Sequence, residues 1–199
     1  MTTEGKQEEF LLLLKPVYKR LWRFALVTAG NHADAEDLMS ETILATYERF
    51  HTVRDSKAFI SFLFTVATRI HRHKTRRSRW FGNYDHERAS QLHSTEASPE
   101  VAAEIRVLLE AIDKLPAKQR EAVVLFEISG FSLEDIREIQ GGTLSGVKSR
   151  LRRGREALAG LLGVEDEDGF LQARADNTRL KEQEASVQMP QILSFAINE

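Results

Sequence analysis

Few side chains in this sequence could bind a metal or move a proton, and their spacing argues against catalysis. His71 and His73 are two residues apart in a segment of helical period. Their side chains therefore project about 200° apart and cannot share a metal as an i, i+4 pair can. The chain has no cysteine, which excludes a thiolate zinc site, a cysteine nucleophile and a disulfide framework. No carboxylate–histidine cluster or phosphate loop appears elsewhere. The expectation is a protein with no catalytic residue, no metal and no cofactor. The chemistry available is the recognition of charge. Between Thr68 and Trp80 there are six Lys or Arg residues and no acid. Arg69, Arg72, Arg76 and Arg79, at spacings of three, four and three, share one helical face. Arginine forks grip phosphates, and exposed aromatics stack on unpaired bases at roughly 1–3 kcal/mol each. Phe64, outside the apolar stripe, and Trp80 are candidates for that second role.

Two further faces complete the set. On a segment projected at about 100° per residue, Asp34, Asp37, Glu41 and Glu48 fall together, opposite Leu38, Met39, Ile43, Tyr47 and Phe50. A solvated face and a docking surface for a basic partner both fit that stripe. Further on, Ser132 with Asp135 reads as a helix-capping pair, Gly141-Gly142-Thr143 as a tight turn, and Thr143 as the cap of a long helix. These are the proportions of a helix-turn-helix. Leu144, Val147, Leu151, Gly154, Leu158 and Leu161 form its expected buried stripe. Ser145, Lys148, Ser149, Arg152 and Arg153 face outward near the N-terminal half, where such helices enter the major groove. Arg155 extends that basic set, whereas Arg150 falls nearer the core edge.

The elements that position these faces are helical throughout, with no alternating strand pattern longer than a few residues. Helices are expected over Glu8–Ala29 with a bend or break at Pro16, over Ala33–Phe50, and from Ser56, as cap, to Trp80. In the second half they are expected over Val101–Leu115, from Pro116 to Ile128, over the short segment after Ser132, and from Thr143 to Leu162. Residues 81–98 have no apolar periodicity and read as a linker. The fold class is therefore all-α: two small helical domains, 1–80 and 99–163, joined by a flexible linker and followed by an extension, 164–199. The 199 residues are 42% hydrophobic and 29% charged, in the range of a folded protein. A net charge of −2 conceals two basic segments, which suggests two separate contacts with a polyanion. No apolar run has membrane-spanning length, so no membrane insertion and a cytoplasmic location are expected.

On these residues the chain resembles the extracytoplasmic-function sigma factors of bacterial RNA polymerase. Asp34-Ala35-Glu36-Asp37-Leu38, Glu41-Thr42, Tyr47 and Phe50 are similar to the family's region two. Leu115-Pro116 through Val123, Gly130 through Ile136 and Val147 through Leu151 are similar to region four. The resemblance implies that the acidic helix docks on core RNA polymerase and that the last helix reads an upstream promoter element. It also implies that the loop His51–Lys57, with Arg54, and the Arg69 face capture an unstacked base during melting. Promoter DNA, core polymerase and an anti-sigma factor are the implied partners. The sequence departs from the family pattern at Ser40, Phe62, Gly142 and Thr143, and at Thr68 within the implied base pocket. A helix-turn-helix regulator acting without polymerase is the competing reading, but it leaves the acidic stripe and the arginine face unexplained. The extension opens with Glu165-Asp166-Glu167-Asp168 and ends on an apolar stretch. Two readings stand for it: a tail that is inert or meets another protein, and one that folds back with its acids near the DNA-reading face.

Overall fold

A computed structural model of the chain describes residues 3–53, 55–80 and 99–163. The linker 81–98, the extension 164–199 and Arg54 lie outside the described residues, as do the side chains of Arg79 and Trp80. Among the described residues there are eight α-helices and no strand. Helix α1 spans Thr3–Leu14 and α2 spans Tyr18–Ala29. Between them Pro16, which lacks a backbone donor, reduces the chain to a single 3-10 turn, so of the bend or break expected there the chain has the break. Helix α3 spans His32–Glu48, with Asn31 capping it through the Asp34 amide at 2.8 Å. Helix α4 spans Ser56–Trp80. Asp55 Oδ1 accepts from the Ala58 amide at 2.8 Å and caps it, and the side chain of Ser56, the expected cap, lies outside the described residues.

In the second half, α5 spans Pro99–Asp113, α6 Ala117–Val123, α7 Leu133–Gln140 and α8 Leu144–Leu162. Buried Arg120 fastens the α5–α6 connection, donating to Asp113 Oδ1 at 2.5 Å and to the Leu115 carbonyl at 3.3 Å. The expected single helix from Pro116 to Ile128 changes pitch. After Val123 it widens into one π-helical turn, Val124–Ile128, closed by the Ser129 amide on the Val124 carbonyl at 2.9 Å. The extra residue in that turn re-phases the chain, so that Leu125, Ile128 and Phe131 are all buried. Ser132 and Asp135 form the expected capping box, and Thr143 caps α8 through the Gly146 amide.

Aromatic edges build the core of the first half. Phe10 from α1 meets Tyr47, Phe50 and Phe59 with centroids 5.1, 5.3 and 5.5 Å apart, all edge-to-face. In α3, the small residues Ala35, Thr42 and Thr46 are buried beside Leu38 and Met39, letting α2 and α4 pack close. In the second half α6 crosses α8 at Gly154. A Cβ added there would lie 2.7 Å from Val123 Cγ2 and 3.3 Å from the Gln119 carbonyl oxygen. Gly154→Ala is therefore expected to overpack this crossing and cost about 1–3 kcal/mol, read as a lower urea midpoint. Gly160→Ala, with nothing within 4 Å of the added atom, should cost nothing and serves as the control.

Candidate functional site

The acidic face of α3 forms largely as expected. Asp37, Glu41 and Glu48 are exposed, while Asp34 is half-buried and accepts from Asn31 Nδ2 at 3.0 Å in the helix cap. Glu41 is paired with Lys74 of α4 at 2.7 Å, both side chains remaining largely open to solvent.

The α4 face differs from the expectation. Phe64 is fully buried and not available to stack on a base. Its ring meets Phe24 at 5.4 Å within the first half and Phe131 of the second half at 4.6 Å, both edge-to-face. The sequence hid this because the core expected for α4 was drawn against the first half alone. Packing of the second half adds another buried side. Arg20 of α2 covers the same joint, its guanidinium carbon 3.6 Å from the Phe131 ring centre. Arg20 Nε also donates to the Ser129 carbonyl, which the π turn directs toward it. Burial pushes the Arg20 pKa below its ordinary value, partly opposed by Asp135, and guanidinium basicity leaves it charged. Ser61 Oγ donates to Glu138 Oε2 at 3.0 Å beside these contacts.

Arg72 crosses from α4 to α6 and grips Glu121 with a two-pronged fork, Nε to Oε1 at 2.6 Å. Glu121 is buried, and its bond raises the Arg72 pKa above the ordinary value. Arg72 is thus engaged within the chain, whereas Arg69 and Arg76 are exposed. His71, Arg72, Thr75, Arg76, Ala117, Arg120 and Glu121 line a cleft of about 400 Å³ between α4 and α6. Within it the His71 ring nitrogen bonds Thr75 Oγ1 at 3.2 Å.

From Glu121 the polar contacts continue into the helix-turn-helix. Gln140, at the end of α7, donates to Glu121 Oε2 at 3.2 Å and to the Lys118 carbonyl at 3.0 Å. Its Oε1 accepts from Arg150 Nε at 2.9 Å, and Arg150 also reaches the Gly141 carbonyl at 3.3 Å. Gly141 and Gly142, at φ 75° and 96°, supply the left-handed backbone of the turn. Ser145, Lys148, Arg152 and Arg153 stand exposed on α8, Ser149 half-exposed. Arg152 pairs along the helix with Glu156 at 2.5 Å. Arg155, expected among the outward bases, is buried. It pairs with Glu127, Nε to Oε1 at 2.8 Å, and lies 5.1 Å from the Phe126 ring centre. Leu161, expected inside, is 46% exposed because it lies near the end of α8, beyond the α6 crossing.

Capped helix, glycine turn and basic second helix form a helix-turn-helix, set beside a bundle with an acidic helix. The comparisons agree over both halves: residues 13–81 match Sigma-70 region 2 and residues 105–158 match Sigma-70, region 4. The chain is 34% identical over 148 residues to the ECF RNA polymerase sigma factor EcfG of Rhodopseudomonas palustris, covering 74% of this chain and 81% of that protein. It is 30% identical over 161 residues to the RNA polymerase sigma factor CarQ of Myxococcus xanthus, covering 80% and 92%. Among solved structures it is similar to the sigma factor RpoE of Bartonella quintana in complex with the anti-sigma factor NepR. That likeness has a TM-score of 0.62 and 27% identity over 82% of this chain and 99% of that one. The chain belongs to the extracytoplasmic-function sigma factors. It directs bacterial RNA polymerase to promoters, and a regulator that acts without polymerase is not favoured.

The two fates of the α8 arginines can be separated. Arg155→Ala is expected to destabilise the second half by about 3 kcal/mol in urea unfolding, because Glu127 is left without its buried partner. Arg152→Ala, on an exposed pair, is expected to shift stability by less than about 1 kcal/mol and to lower promoter affinity instead.

Proposed function

We propose that three faces divide the work of initiation. The acidic face of α3, with Asp37, Glu41 and Glu48 and with Asp34 at its rim, docks on core polymerase. Ser145, Lys148, Ser149, Arg152 and Arg153 of α8 read the upstream promoter element. The α4 face, with Arg69 and Arg76 and with Arg72 once released, grips the strand that unpairs downstream. The observation that carries this reading is the exposed basic edge of α8, presented by a capped helix and a left-handed glycine turn in a chain of this family. The closed packing of the two halves supports one addition. Phe64 is covered and Arg72 is engaged by the second half, so the part Arg72 plays on α4 follows separation of the halves, while Arg69 and Arg76 are already exposed. An anti-sigma partner that holds the halves together fits the same geometry. The related Bartonella sigma factor is described in complex with one. The chain contributes no bond-making chemistry of its own.

Transcription from promoter DNA by core polymerase and the purified chain tests the division. Lys148→Ala or Arg152→Ala should weaken promoter binding, by about 1–3 kcal/mol where the side chain makes a good base-edge interaction. A template with the start region already unpaired should not rescue them. Arg69→Ala with Arg76→Ala should leave closed-complex binding intact, slow strand opening, and be rescued by the unpaired template. Equal rescue of both sets would contradict the division.

A further inference from the structure

Leu44 stands where an acidic docking helix has no evident use for it. At about 100° per residue it falls on the same face as Asp37, Glu41 and Glu48, about 20° outside their arc on the Asp37 side, three residues after Glu41 and four before Glu48. It is 60% exposed, although the helix buries Ala35, Leu38, Met39, Thr42 and Thr46 on its other side. Its exposure therefore does not follow from a shortage of core to enter. A stripe that worked by charge alone makes no use of an apolar side chain among its acids, and along the helix Leu44 stands between Glu41 and Glu48.

We propose that Leu44 is the apolar anchor of the polymerase-docking face. Its partner would be a polymerase segment that presents an apolar side chain or pocket flanked by Lys or Arg. The acids before and after Leu44 along the helix complement those cations, giving the surface a desolvated patch bordered by charge. That is the usual anatomy of a protein–protein interface whose energy is concentrated in a few buried residues. The charged rim sets approach and orientation, and the leucine contributes affinity that salt does not screen. The proposal rests on α3 being the docking face, and it separates two contributions that the acidic stripe alone would merge.

The test titrates core polymerase with the full chain and its variants at low and at high salt, with helix content checked by circular dichroism. Leu44→Ala is expected to bind about tenfold more weakly at both salts, the scale for removing part of a buried leucine side chain. Leu44→Glu is the sharper variant, because it lengthens the acidic stripe. A face that works by charge alone would bind the basic partner as well or better with the added acid, and that result would overturn the proposal. The expected result is weaker binding despite the extra negative charge. Asp37→Lys serves as the reference, with a loss of affinity that shrinks as salt rises. If Asp37→Lys weakens binding while both Leu44 variants bind normally, the docking face stands and the anchor fails. If all three bind normally, α3 is not the docking face and both readings fail.

Discussion

The closed arrangement depends on one joint, in which Phe131 of the second half packs edge-to-face with Phe64 and under the guanidinium of Arg20. Each element of the joint has a local cause. The π turn at Val124–Ile128 shifts the chain by one residue, and Gly130, at φ 65°, turns it back. Phe131 is thereby buried against the first half, and the Ser129 carbonyl meets Arg20 Nε. An aromatic edge contact contributes about 0.5–1.5 kcal/mol beyond its buried area, and a partly desolvated cation–π contact about 1–2 kcal/mol. With the Arg72–Glu121 fork, these terms can hold two small bundles together without making them inseparable. A partner that binds in the nanomolar range releases about 12 kcal/mol, enough to part them.

The joint is also connected to the turn of the helix-turn-helix. Glu121 receives Arg72 on one side and Gln140 on the other, and Gln140 in turn receives Arg150 beside Gly141. When Arg72 leaves, a buried carboxylate is parted from its cation and keeps the amide of Gln140. The two functional halves are therefore linked by named side chains in addition to the linker between them.

Much of this was legible in the sequence because it follows from local patterns. The capping box at Ser132 and Asp135, the Thr143 cap, the break at Pro16 and the acidic arc of α3 each depend on residues within one or two helical turns. The features that escaped depend on residues distant in the chain. Phe64 lies off the α4 stripe because its second neighbour, Phe131, comes from the other half. Arg155 matches its basic neighbours on α8 until Glu127, 28 residues earlier, is brought beneath it. The π turn has no signature in composition, since Val124-Leu125-Phe126-Glu127-Ile128 would suit an α-helix equally well. Of the expected site residues, Asp37, Glu41, Glu48, Lys148, Arg152 and Arg153 stand exposed as drawn, and their roles rest on the proposed division of labour.

The proposed release of Arg72 requires that a chain closed through this joint be opened. Because the sequence has no cysteine, two introduced ones make a unique pair of labelling sites. Exposed Lys19 on α2 and Glu110 on α5 report on the separation of the halves. The direct measurement is the distance distribution between spin labels at Lys19→Cys and Glu110→Cys, first in the free chain and then with core polymerase. The expected result is one narrow distribution at the separation of the closed structure, replaced by a longer one in holoenzyme. The same distribution in both states, or a broad and long one in the free chain, would contradict opening by polymerase.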